Sequence, residues 1–194
     1  MIMPGDEKLI RAFFAIDLAE NTKATIGNLI EELQQFYPGD AVRWIKAHSL
    51  HITLQFLKQI NRQDLDRLIV LANEALRQQP PFEVVLGPVQ FFPNTSNPKV
   101  ITLDTQPQAQ LMTLSKIIGQ CMTEINFPAE TRLFRGHVTL GRFNFNTAKE
   151  PVLLQNITIP FIPTVTPHEI ILFESMPMPT ESRYMPLYHF PLYN

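Results

Sequence analysis

The chain carries His51-Ile52-Thr53-Leu54 and, 86 positions later (137 − 51), the near copy His137-Val138-Thr139-Leu140. Each copy sits in an apolar, β-branched run that reads as a strand. Strand side chains alternate between faces, so histidine and threonine share one face and the aliphatic pair the other. Each copy therefore buries Ile52/Leu54 or Val138/Leu140 and offers an imidazole beside a hydroxyl. The ordinary imidazole pKa lies near 6.5, so of two rings facing one cleft, one can accept a proton while the other donates one. The Thr53 and Thr139 hydroxyls are spaced to hold the non-bridging oxygens of a phosphate between those rings. A lone His-x-Thr strand is ordinarily just a polar face. Duplication with the same aliphatic partners favours a two-lobed catalyst with one histidine from each lobe.

Cations gather around both copies: Arg43, Lys46 and Lys58 near the first, Arg132, Arg135 and Arg142 near the second. Arginine suits phosphate because its planar fork donates two parallel hydrogen bonds. Arg142, just beyond the second motif, is the candidate clamp, while Arg132 and Arg135 read as solvated strand-edge charges. His48 points away from His51 in extended chain, and His168 and His189 have no partner spacing, so none of the three is a candidate. No Cys/His spacing fits zinc, no glycine-rich phosphate loop precedes a helix, and no G-x-S-x-G elbow occurs. The expected chemistry uses no metal and no cofactor.

These motifs must be positioned by the rest of the 194 residues, enough for one large domain or two interlocked lobes. An apolar fraction of 45% supplies a core. Charges or prolines interrupt every apolar run well short of the roughly 18 residues of a membrane span. No export signal is read at the start, and the single cysteine, Cys121, reads as a buried hydrophobe, so a cytoplasmic protein is expected. A net charge of −2 argues against non-specific nucleic-acid binding, leaving any anion site to a local cluster.

Strands are expected over 11–18, 42–45, 50–57, 82–86, 99–104, 131–143, 156–161, 169–175 and 183–190. Helices are expected over 20–36, from a cap at Asn61 to Pro80, and over 108–125, each with an apolar stripe at helical spacing. On the opening strand Phe14, Ile16 and Leu18 are assigned to the core, and Phe13, Ala15 and Asp17 to the other face. Strands joined directly as hairpins and no regular βαβ alternation point to α+β with antiparallel sheets. The order of elements partly repeats, and no polar linker divides the chain. One bilobal domain of pseudo-two-fold symmetry over 1–194 is expected, its sheets lining a central cleft with helices outside.

HITLQFL and HVTLGRF resemble the paired H-x-T-x motifs of the two-histidine (2H) phosphoesterases. RAFFAIDL, the SLH lead into the first motif, PFEVVLG and the closing SRYMPLYHFPL narrow the resemblance to the bacterial and archaeal RNA 2′,3′-cyclic phosphodiesterases, long described as 2′-5′ RNA ligases. The resemblance implies hydrolysis of a 2′,3′-cyclic phosphate at an RNA end to a 2′-phosphate, with His51 as proton donor and His137 as proton acceptor. Thr53, Thr139 and Arg142 would bind the phosphate, and Phe13 is a candidate base-stacking contact. The expected partner is RNA with a cyclic phosphate end, such as a tRNA fragment, met by a monomer with no membrane association. Two alternatives stay open: ligation of that end to a 5′-hydroxyl, and a module that grips RNA ends without turning them over. Many relatives place proline before the second histidine; Gly136 stands there in this chain and suggests a looser approach to the strand.

Overall fold

The computed structural model describes residues 9–37, 39–95, 97–128, 130, 133–144, 159–178 and 182–193. Eight strands are seen among them: β1 (Ile10–Asp17), β2 (Val42–Trp44), β3 (His51–Ile60), β4 (Val85–Phe92), β5 (Val100–Gln106), β6 (His137–Phe143), β7 (Glu169–Pro177) and β8 (Ser182–Pro191). Three helices intervene, α1 (Glu20–Gln34), α2 (Arg62–Leu76) and α3 (Gln108–Glu124). All strand pairs are antiparallel, in the order β4-β5-β6-β3-β1-β7-β8 with β2 added against β6. The α+β expectation with antiparallel sheet holds.

The order divides into two halves of four strands. β1, β3, β7 and β8 carry His51; β2, β4, β5 and β6 carry His137. A single residue pair, Ile52 with Val138, joins β3 to β6. Beyond it β6 pairs instead with β2, from Trp44–Gly141 to Val42–Phe143. Both joining residues are wholly buried. The pseudo-two-fold relation therefore runs through this pair and exchanges one motif with the other.

Local chemistry explains the helices. Asn61 caps α2, its side-chain oxygen accepting from the Asp64 backbone N–H at 2.8 Å, and Leu65, Leu68, Ala72 and Leu76 form the buried stripe. Ile26, Leu29, Ile30 and Leu33 of α1, and Leu111, Leu114, Ile118 and Cys121 of α3, are buried as their spacing requires. On α3, Ser115 reaches the motif strand: its hydroxyl donates to the Leu54 carbonyl at 2.9 Å and accepts from the Gln55 amide at 3.1 Å.

Several boundaries differ from the sequence expectation. α1 stops at Gln34, and β4 starts later and runs through Gly87-Pro88, where a register shift between Leu86 and Val89 leaves proline outside the regular ladder. The second motif strand begins only at His137, with 133–136 irregular. Of the strand expected over 156–161, residues 159–161 are not strand and the remainder lies outside the described residues, as does Arg132. The one-sided reading of β1 is corrected. Phe13, Phe14, Ala15 and Ile16 are all buried, because β1 lies between β3 and β7 and is covered on both faces.

Candidate active site

The two imidazoles are held by the same backbone device. His51 Nδ1 donates to the Ser49 carbonyl at 2.7 Å, and His137 Nδ1 donates to the Arg135 carbonyl at 2.8 Å. A carbonyl only accepts, so in each neutral ring the proton sits on Nδ1 and Nε2 is left to act. His51 Nε2 meets the Thr53 hydroxyl at 3.0 Å. Flanking the Ile52–Val138 pair, the antiparallel register sets His51 across from Thr139 and Thr53 across from His137. The two histidines and two threonines thus alternate around one patch.

A bulge in each motif strand extends that patch. Thr53 pairs with Ala15 but Gln55 with Phe14, so Leu54 is an extra residue; Thr139 pairs with Thr102 but Gly141 with Ile101, so Leu140 is another. A bulge turns two successive residues inward and re-aims the side chains beyond it. Leu54 and Gln55 are buried, as are Leu140 and Gly141, and the next residues, Phe56 and Arg142, return to the motif face. Strict alternation from His137 would have sent Arg142 to the opposite side. Position 141 must be glycine because a Cβ there would lie 2.5 Å from Val42 Cγ1 and 2.9 Å from Trp44 of the crossing β2.

Burial dominates the electrostatics. It pushes the His51 pKa down to about 4, aided by the positive charge of Arg142 and opposed by the Ser49 carbonyl and Asp17. His137 is also lowered by burial, with Arg142 and Arg135 adding and the Arg135 carbonyl and Asp104 opposing. Both rings are neutral at pH 7 until an anion arrives. Burial also lowers Arg142, against the attraction of Tyr184, and raises the Tyr184 phenol against Arg142 and Arg43. Arg43 sits directly across from Arg142 in the β2–β6 pair, so a cation near the first motif in sequence serves the second in space.

The structure brings together His51, Thr53, His137, Thr139 and Arg142. It places Phe13 differently from the expectation. Phe13 is 2% exposed, its ring 4.8 Å from His51 and stacked on Phe173 at 5.4 Å, which makes it a support beneath the imidazole rather than an open platform for a base. Gly136 is corrected too. A Cβ there would lie 2.6 Å from Thr105 Oγ1 and 2.8 Å from Leu111 Cδ1, and the Gln108 amide brackets the residue, accepting from its N–H at 2.8 Å and donating to its carbonyl at 2.9 Å. That approach is tight, not loose. Arg135, read as a solvated charge, has an exposed side chain set over Phe92, while its carbonyl fixes His137.

Sequence reasoning missed Tyr184 and Phe92. Tyr184 packs edge-on to His51 at 5.3 Å, and Phe92 stacks on His137 at 5.8 Å. Neither lies near its histidine in sequence, and only the strand order brings them there. Among the described residues no group of three His, Cys, Asp or Glu is set to hold a metal ion, and no helix is long and apolar enough to cross a membrane.

Known proteins resemble this chain over most of its length. The profile of the family "LigT like Phosphoesterase" matches residues 16–102, the region of the first motif. The RNA 2′,3′-cyclic phosphodiesterase of Thermotoga maritima is 26% identical over 179 residues, covering 92% of this chain and 94% of its own. A crystal structure of a phosphoesterase superposes with a TM-score of 0.77 at 26% identity, covering 96% of this chain and all of that one. The chain is similar to LigT-like phosphoesterases along most of its length. E. coli LigT crystallised with NADP+ superposes with a TM-score of 0.75 at 26% identity, over 96% of this chain and all of its own.

Proposed function

We propose that this chain is a 2H phosphoesterase that hydrolyses 2′,3′-cyclic phosphodiester ends of RNA to 2′-phosphomonoesters. The observation that carries the reading is the pair of His–Thr units set on one face about the Ile52–Val138 pair, each ring held through Nδ1 so that Nε2 is turned to the patch. Displacement at phosphorus needs the attacking and leaving oxygens on opposite sides, and one imidazole from each half supplies that geometry. His137 takes a proton from water as the water oxygen bonds to phosphorus. The bond from phosphorus to the 3′ oxygen breaks, and His51 protonates that oxygen. The Thr53 and Thr139 hydroxyls donate to the non-bridging oxygens, and Arg142 balances the charge that builds on them.

His51 must carry its proton to act as the acid, although burial holds its pKa at about 4 in the free protein. The anionic substrate supplies the missing partner: a phosphate beside Nε2 favours the imidazolium that burial alone disfavours. The names of relatives support the substrate class, since the Thermotoga maritima protein is an RNA 2′,3′-cyclic phosphodiesterase. So does the NADP+ complex of E. coli LigT, because NADP carries a ribose 2′-phosphate, the group left at the end of this reaction.

Replacing either His51 or His137 by alanine is expected to lower turnover of an RNA 2′,3′-cyclic phosphate by about 10²-fold or more. Near-wild-type rates in both variants would sink the reading. Products made from paired half-tRNAs resolve the outcomes further: 2′-phosphate ends indicate hydrolysis, whereas a 2′-5′ joined product would mean that a ribose hydroxyl replaces water. Tight binding with no product would indicate a module that only grips the end.

A further inference from the structure

The two motif strands match beyond their motifs. From His51 to Leu57 and from His137 to Phe143 the order of buried and accessible residues is identical, and both strands bulge at the same point. Phe56 is therefore the positional counterpart of Arg142, five residues past its histidine and returned to the same face. In the His137 half that position holds a cation; in the His51 half it holds a phenyl ring 57% exposed. A single exposed phenylalanine is ordinary on a protein surface. This one is set apart by its place and support. It pairs across the sheet with Phe13, the ring beneath His51, with the two centroids 6.0 Å apart. A rigid aromatic row thus runs from under the catalytic imidazole to an open ring on the same face. Lys58, exposed two residues further along β3, continues that line with a positive charge.

Distance identifies what this ring meets. Phe56 lies four residues of strand from Ile52, at the centre of the four-group patch, or ~13 Å at the usual strand rise. A phenyl ring, unlike the long Arg142 side chain at the equivalent position, does not reach back to the phosphate from there, and it is left to meet a base. Unpaired bases stack on exposed aromatic side chains, and lysines track the backbone between them. We propose that Phe56 stacks the base of the nucleotide that precedes the cyclic end, with Lys58 beside the linking phosphate. The site then prefers RNA chains to free nucleoside cyclic phosphates. This subsite rests on the cyclic phosphodiesterase reading above.

The test compares kcat/KM for a nucleoside 2′,3′-cyclic phosphate with that for a trinucleotide ending in the same cyclic phosphate. Wild type should favour the trinucleotide, and F56A should cut that preference about tenfold, the scale of one lost base stack. F56W should restore it. A preference that is absent in wild type or unchanged in F56A overturns the subsite. In parallel, affinity is measured for the trinucleotide with a 2′-phosphate end, which needs no turnover. Should wild type hydrolyse neither substrate, the hydrolase reading fails, and this binding alone decides the subsite: about tenfold weaker binding by F56A supports it, equal binding overturns it.

Discussion

The two halves hold their histidines alike through the backbone and unlike through their surroundings. In both, Nδ1 donates to the carbonyl two residues back, so both rings present Nε2. His51 is then enclosed by the Phe13 and Tyr184 rings, and its Nε2 is already bonded to Thr53. His137 lies on Phe92, with the Arg135 guanidinium 5.9 Å from the centre of the Phe92 ring and Asp104 opposing the burial that lowers the pKa of His137. Concerted acid–base catalysis requires matched positions but different proton affinities. The bulged strands provide the first, and the packing around each ring provides the second.

The division of roles between the two rings is where this difference has its greatest consequence. If His51 protonates the leaving 3′ oxygen, then replacing that bridging oxygen by sulfur removes the need for it, because a thiolate departs without a proton at neutral pH far more readily than an alkoxide. The loss of about 10²-fold or more in H51A should then shrink on the 3′-thio substrate, while the loss in H137A persists. Kinetics of both variants on both substrates settle it. Rescue of H137A and not H51A would exchange the two roles while leaving the pairing intact.

A weaker effect, on stability, tests the electrostatic contrast. The folded pKa of His51, about 4, lies below the ordinary 6.5. Between those values the unfolded chain binds a proton that the native chain does not, so stability rises with pH through this window and is lost as pH falls from 6.5 toward 4. From pH 7 to pH 5 this single group should withdraw about 2 kcal/mol. Urea unfolding at the two pH values should show a steep loss in wild type, a shallower one in H51Q, and an intermediate one in H137Q, whose ring is less enclosed. Identical slopes in wild type and H51Q would mean that the Phe13–Tyr184 enclosure does not govern the charge on His51.

Much of this site was legible in the sequence, because a repeated His-x-Thr on a strand fixes both the residue types and their common face. The order of most strands and helices came from apolar period and from caps such as Asn61. What strict alternation hid was the bulge. Its trace is present in the apolar spacing: Leu54 to Leu57, and Leu140 to Phe143, step by three where an unbroken strand steps by two. That step moves Arg142 and Phe56 onto the working face. Phe13 misled for a different reason, since the rings of Phe173 and Tyr184 pack against it on that face and make it floor rather than surface. Tyr184 and Phe92 left no local signal. Their contacts depend on β8 folding back beside β7, and on β4 lying next to β5, which in turn pairs with β6; these are properties of topology alone.

The residue just before each histidine separates the halves most mildly. Leu50 precedes His51 and fills the core, whereas Gly136 precedes His137 and leaves room for nothing. In G136A the added carbon must displace the Thr105 hydroxyl and the Leu111 methyl, an overpacking that typically costs about 1–3 kcal/mol. A proline at 136 would in addition remove the N–H that Gln108 accepts. G136A should therefore melt several degrees lower than wild type, and G136P lower still. The Arg135 carbonyl that orients His137 belongs to the residue beside this glycine, so turnover should fall with stability even well below the melting point. Wild-type melting in G136A would show that the segment leading into the second motif can yield, and that the His137 half is the more adaptable of the two.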